Sequence, residues 1–395
     1  MKKSFIACAV LGAIAGAAHA QSSVTVYGVA DIGYKLNKDN GTDANATSQK
    51  TSGISDGALS SSRIGFRGTE DLGGGLKANF VIEQGISPTN DELFGVRASG
   101  GGHQIDGLST SSNGGYSNGT NRQSWVGLSG NFGDVRLGYQ YTNLYAVAAQ
   151  AGHNPTSDSL RGAEIYHQHG QSVVGGTRAN GITYISPRFS GFQATVQYGA
   201  GSAGRETSEM GGVINNNKRV GLRLNYAAGP FSADVAHTQA KFTTNTSGLA
   251  TTSAFGVVAA GAQNVNTGER SGDLTQVAAS YNLGVAKLSA SYNTGKDGGT
   301  ASSRNSSKYT SYQVGARVPV GAFALVASYG QAKIKREDTG AETLADKGYQ
   351  LGLQYALSKR TTAYAYYGRS KDSGTSRSNA FAERESTVVG LAHTF

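Results

Sequence analysis

About sixteen separate stretches of the chain alternate apolar with polar side chains at a period of two, and this pattern constrains the fold more than any other feature. Side chains in a strand point to opposite faces in turn, so each stretch has one apolar and one wetter face. Phe192, Ala194, Val196 and Tyr198 oppose Gln193, Thr195 and Gln197; Val220, Leu222, Leu224 and Tyr226 oppose Arg219, Arg223 and Asn225. Tyr349, Leu351, Leu353 and Tyr355 likewise oppose Gln350 and Gln354. The pattern predicts strands near 24–36, 58–70, 74–86, 120–130, 133–142, 179–187, 191–200, 217–228, 230–242, 270–283, 285–295, 308–318, 321–334, 346–357, 359–371 and 384–395. The last places Thr387, Val389, Leu391, His393 and Phe395 on one face and ends on an aromatic.

The connections fall into two alternating kinds. Asp71-Leu72-Gly73, Asn131-Phe132-Gly133, Phe189-Ser190-Gly191, Ala228-Gly229-Pro230, Leu283-Gly284, Pro319-Val320-Gly321 and Leu357-Ser358 are tight turns. Between them lie long polar stretches at 37–57, 87–119, 143–178, 201–216, 243–269, 296–307, 335–345 and 372–383. Short turns at one end and long loops at the other are the pattern of a transmembrane β-barrel with periplasmic turns and external loops. Alternation alone also suits a soluble sandwich. The strand number, the aromatic strand ends and Phe395 favour the barrel, in which about sixteen strands enclose a water-filled lumen.

The N-terminus agrees with export. Lys2 and Lys3 precede an apolar run from Phe5 to Ala17, and Ala18-His19-Ala20 has the small-x-small form of a cleavage site. Residues 1–20 therefore read as a signal peptide and 21–395 as one barrel domain, with no linker or composition break. No later segment approaches the length of a membrane helix. Cys8, the single cysteine, lies in the signal, so the mature chain has neither disulfide nor thiol chemistry. Glycine (57) and tyrosine (20) are abundant, while charged residues make up 15%. A barrel uses small residues for close strand packing and tyrosine at the membrane interfaces. The formal charge of +9 is dispersed, which argues against nucleic-acid binding.

Six blocks carry a resemblance to a known family. The opening strand Ser23 to Gly33 is followed by SRIGFRGTEDLGGGLKANFVIEQG (Ser62 to Gly85), RQSWVGLSGNFGDVRLG (Arg122 to Gly138) and NGITYISPRFSGFQATVQYG (Asn180 to Gly199). YALSKRTTAYAYYG (Tyr355 to Gly368) and VGLAHTF (Val389 to Phe395) complete the series. The chain resembles the Gram-negative general porins of the neisserial and burkholderial type, with the blocks in family order. It departs at Tyr139, where the family often has arginine. The resemblance implies a homotrimer of sixteen-stranded barrels, each with a pore narrowed by its third external loop.

That loop is 143–178, which contains Asp158 and Glu164 together with Arg161, His153, His167 and His169. By resemblance, acids on this loop face basic residues of the wall, with Arg63, Arg122 and Arg178 opposing Asp158 or Glu164. Strand parity adds Arg67 beside Arg63, and places Glu83 on one face with Lys77 and Asn79; Asp31 and Asp234 also point inward. Opposed fixed charges in a narrow aqueous pore select ions and orient dipolar solutes, and arginine supplies a permanent charge for that role. The function expected is passive diffusion of ions and small hydrophilic solutes across the outer membrane, with no catalysis, cofactor or metal. A solute-specific channel of the same fold is the alternative, and a barrel enzyme a more distant one. Expected partners are two further copies, outer-membrane lipids and lipopolysaccharide, and the barrel-assembly machinery acting through Phe395.

Other motifs reduce to structure. Gly199 to Gly204 spells G-x-G-x-x-G, but no helix pattern follows, and it reads as an external loop. His167 and His169 lack a third placed ligand. Trp125, Tyr366 and Tyr367 read as interface-belt or subunit-contact aromatics.

Overall fold

The computed structural model describes residues 23–41, 48–89, 121–147, 178–199, 214–215, 218–245, 268–298, 306–374 and 381–395. Eighteen strand segments form a single sheet in which each pairs antiparallel with its neighbours. They are β1 (Ser23–Gly41), β2 (Gln49–Asp56), β3 (Arg63–Gly73), β4 (Leu76–Gly85), β5 (Asn121–Gly130), β6 (Gly133–Tyr141), β7 (Arg178–Ile185), β8 (Phe192–Gly199) and β9 (Ile214–Asn215). There follow β10 (Lys218–Ala228), β11 (Phe231–Asn245), β12 (Gly268–Asn282), β13 (Lys287–Asp297), β14 (Ser307–Val320), β15 (Phe323–Arg336), β16 (Glu342–Ala356), β17 (Thr361–Asp372) and β18 (Phe381–Thr394). β2 and β3 pair with the two halves of β1, and β9 and β10 both pair with β11. Each couple forms one wall strand, so the closed antiparallel barrel has sixteen.

Closure lies between β1 and β18, from Val29 opposite Thr394 to Gly41 opposite Phe381. At the foot of this seam the Gly28 N–H donates to the Phe395 carbonyl (3.0 Å) and the Phe395 N–H to the Gly28 carbonyl (3.2 Å). A β-carbon on Gly28 would lie 2.3 Å from Cζ of Phe395, so only glycine lets that ring lie against the wall.

The outward faces are apolar all round. Val24, Ile82, Val126, Val220, Leu351 and Val389 are 52–63% exposed on separate strands. A continuous band of this kind far exceeds the apolar patches of a soluble monomer, and it suits contact with hydrocarbon. Inside, two apolar pads sit on the wall. One comprises Val326, Tyr364, Tyr366, Val388 and Ala392, with Ala58 and Leu59 packed on it. The other comprises Ala240, Leu274, Tyr309, Ala332, Ile334 and Leu344, with Leu144 among them.

Several boundaries and faces differ from the sequence expectations. The strand expected over 58–70 begins only at Arg63, because 57–62 folds inward: the Asp31 carboxylate accepts the backbone N–H groups of Leu59 (2.7 Å) and Ser60 (2.6 Å). Part of the stretch 37–57 continues the sheet as the end of β1 and as β2. The long loop expected over 335–345 is a tight connection at 337–341, closed by the Arg336 N–H donating to the Ala341 carbonyl (3.0 Å) and the Gly340 N–H donating to the Arg336 carbonyl (2.9 Å). Trp125 and Tyr366 are not belt residues. Both share the inward pleat and are buried, at 9% and 2% exposure, whereas Tyr367 faces outward beside Tyr349.

Candidate pore constriction

Glu83, third from the external end of β4, faces the lumen and gathers the basic wall around it. Its Oε1 accepts from Nε of Arg122 (2.8 Å) and from the Tyr141 hydroxyl (2.8 Å), while the Tyr27 hydroxyl donates to Oε2 (3.1 Å). Arg63 stands 3.8 Å from Oε2 and also donates to Oγ of Ser60 (3.1 Å) and the Ser61 carbonyl (2.8 Å). The inward fold at 57–62 thus steers Arg63. Tyr27 reaches Glu83 by lying across Gly65, where a β-carbon would come within 2.4 Å of its ring.

Arg122 is inward for a reason that strand parity conceals. Ser124 and Val126 of the same pleat are exposed on the outer face, but the register between β4 and β5 shifts between Glu83 and Gln84. This β-bulge re-aims Arg122 into the barrel, where it is 7% exposed. Its Nη2 donates to the Tyr141 hydroxyl (2.7 Å). Arg178, directly opposite Tyr141 in the β6–β7 ladder, places its guanidinium 5.2 Å from the Tyr141 ring centre. Tyr141 stacks on Tyr145 at 4.2 Å. Arg178 shares the pleat of outward Asn180 and Ile182, and it joins the cluster through this aromatic contact.

The remaining wall residues are placed lower or used differently. Arg67 lies four residues below Arg63, about 13 Å away along the strand, over the Tyr27 ring (5.3 Å). Lys77 lies near the periplasmic mouth, about 20 Å below Glu83. Asp31 points inward but is fully buried under 57–62, and it also accepts from the Tyr364 hydroxyl, so it clamps a segment. Asp158 and Glu164 lie outside the described residues, as do Arg161, His153, His167 and His169.

The start of the third loop is described, and it turns into the barrel. After Thr142 a single helical turn, α1 (Asn143–Tyr145), is seated on the inner wall: the Asn143 N–H donates to Oε1 of Gln197 (3.3 Å), and Gln197 donates to the Tyr141 carbonyl (3.0 Å). Val147 is fully buried against Ala236 and Ala278. A β-carbon on Gly221 would lie 2.9 Å from Nδ2 of Asn143, so glycine opens the seat.

Sequence reasoning missed Tyr27, Tyr141 and Tyr145, because tyrosine is common throughout and only cross-strand geometry singles these out. It also missed Asp297, Asp346 and Asp372, all buried on the inward pleat of β13, β16 and β17. Parity was the available signal for them. They lie on the half of the ring opposite the arginines of β3 to β10, a side that also carries the inward Arg317 and Arg384.

A sixteen-stranded barrel with an apolar outer wall and a charged lumen defines a membrane channel. The chain belongs to the Gram-negative porin family, whose profile matches residues 7–375, and it is accordingly an outer-membrane protein of a Gram-negative bacterium. It is 34% identical to outer membrane porin protein 32 of Delftia acidovorans, over 95% of this chain and 92% of that one. It is 28% identical to an outer membrane porin protein of Bordetella pertussis, over 99% of this chain and 98% of that one. An anion-selective porin from Comamonas acidovorans superposes with a TM-score of 0.67 at 25% identity, covering 95% of this chain and 100% of that one. A trimer form of OmpT from Vibrio cholerae shares the fold, with a TM-score of 0.62 at 16% identity over 95% and 99%.

Proposed function

We propose that the protein is a passive diffusion channel for ions and small hydrophilic solutes, with a constriction built where the third external loop enters the lumen beside the basic wall. The observation that carries this reading is the convergence of Arg63 and Arg122 on a single carboxylate, Glu83, with Arg178 over the ring of Tyr141, which also donates to Glu83, next to the inward-turning residues Asn143 to Val147. More cations than anions at that point favour small anions, in keeping with the anion-selective relative from Comamonas acidovorans. Arg67 and Lys77 would extend the basic track below, and Asp158 and Glu164 would bring the opposing charge from the loop. The relatives are channels, which argues against catalysis.

Residues 1–20 would be removed on export, and Phe395, fixed at the barrel seam, would present the last strand to the assembly machinery. The chain would work as a homotrimer, as the trimer form of OmpT suggests. Its outward concavity around Gly68, Ala78, Phe80, Val126 and Leu137 offers an apolar wall for a second copy. Single-channel recording of the purified protein tests this: stepwise openings that close in three equal levels are expected. Folded, inserted protein that fails to conduct would overturn the channel reading.

A further inference from the structure

The lumen has a second basic region, on the wall away from the Glu83 cluster and nearer the periplasm. Lys287, at the start of β13, is directly opposite Arg317 of β14, which stands three residues before that strand ends at Val320. Both point inward on the pleat of buried Ser289, Ser291, Ser311 and Gln313, within about 10 Å of the periplasmic turns. β4 is the third wall strand and β13 the eleventh, so Lys77 at the periplasmic end of β4 faces this pair from across the lumen.

Arg317 is aimed by a chain of neutral contacts. Its Nη1 donates to Oε1 of Gln354, whose Nε2 donates to the Tyr366 hydroxyl (2.5 Å). Tyr366 is buried and lies across Gly352, where a β-carbon would run into its ring. An amide oxygen fixes the guanidinium without cancelling its charge, unlike Glu83 at Arg122 or Asp234 at Arg223. Among the described residues no carboxylate lies within ion-pair distance of Arg317, Arg67 or Lys77. β14 and β15 contain no carboxylate at all, and Asp346 of β16 is six residues, about 20 Å, above Gly352. Asp31 is taken by Leu59, Ser60 and Tyr364.

We propose that Lys287 and Arg317 form a second anion site, separate from the constriction, that holds a small oxyanion as it crosses the periplasmic half of the lumen. Two oxygens of such an ion fit side by side on the Nε–Nη2 edge of Arg317, which Gln354 leaves open, while a third meets the Lys287 ammonium. The ion also relieves the repulsion between like charges directly opposite on one sheet face. A site on a permeation path must release what it binds, and a cation pair open to lumen water holds its ion weakly enough to do so. This rests on the reading of the barrel as a channel and deepens it by naming the ion class and where, beyond the constriction, it pauses.

The probe is inorganic phosphate, and the readout is the broadening of its phosphorus NMR resonance by the mature protein in detergent, which does not depend on conduction. K287Q/R317Q should cut the broadening about fivefold or more, R317K, which keeps the charge and loses the fork, about twofold or more, and R63Q should leave it within about twofold of wild type. In planar bilayers, phosphate on the periplasmic side should reduce the chloride current through wild type and leave that through K287Q/R317Q unchanged. Heat-dependent gel migration certifies that each variant is folded. Broadening by K287Q/R317Q or by R317K equal to that of wild type would overturn the proposal, as would broadening lost in R63Q and kept in K287Q/R317Q. Folded, inserted wild type that broadens the phosphate resonance but does not conduct would strike at the channel reading alone.

Discussion

Glu83 shows how one side chain can set the character of a wall. It is 5% exposed and compensated by two arginines and two phenols, so its charge is largely spent locally. Replacing it with glutamine, E83Q, should leave Arg63 and Arg122 uncompensated and shift the reversal potential further toward anions. Removing Arg122 should do the reverse and, by leaving a buried carboxylate short of its main partner, should destabilise the barrel by about 3 kcal/mol. Asp31 plays a structural part. D31A removes the acceptor for two backbone N–H groups and should cost about 2–3 kcal/mol in denaturant unfolding; it should also alter conductance by releasing 57–62 and with it Arg63. The sequence made Glu83, Arg63 and Asp31 inward residues by parity alone. It did not reveal that Asp31 is covered, nor that a bulge turns Arg122 inward, because both depend on contacts between segments far apart in the chain.

Among the elements, the two inward segments depart most from a plain wall, and each is tied down by apolar contacts. Leu144 (2% exposed) and Val147 (0%) anchor the start of the third loop. L144A should cost about 2–5 kcal/mol if the site cannot collapse, and should raise conductance if the loosened segment forms the proposed constriction. Unchanged conductance would mean that these residues do not position the constriction. At the seam, deletion of Phe395 removes both backbone bonds to Gly28 and should slow insertion into membranes without reducing export, as read by heat-dependent gel migration. Sixteen strands and the tight turns were legible from period and glycine placement. The inward fold at 57–62 was not, because it is fixed by bonds to Asp31, a residue distant in the chain.

Over the whole molecule, the charges divide by side. Arginines dominate the lumen from β3 to β10, and buried aspartates are added from β13 to β17, so a field should run across the pore as well as along it. These asymmetries could be drawn from the sequence only after the strand order and register were known, since parity assigns a face and says nothing of which strands stand opposite. The most direct test of the account is the reversal potential of purified protein in a planar bilayer under a tenfold potassium chloride gradient, for wild type and for R63Q/R122Q. The account predicts an anion preference in wild type that moves toward cations in the variant. A wild-type potential of cationic sign, or one that the double substitution leaves unchanged, would contradict it.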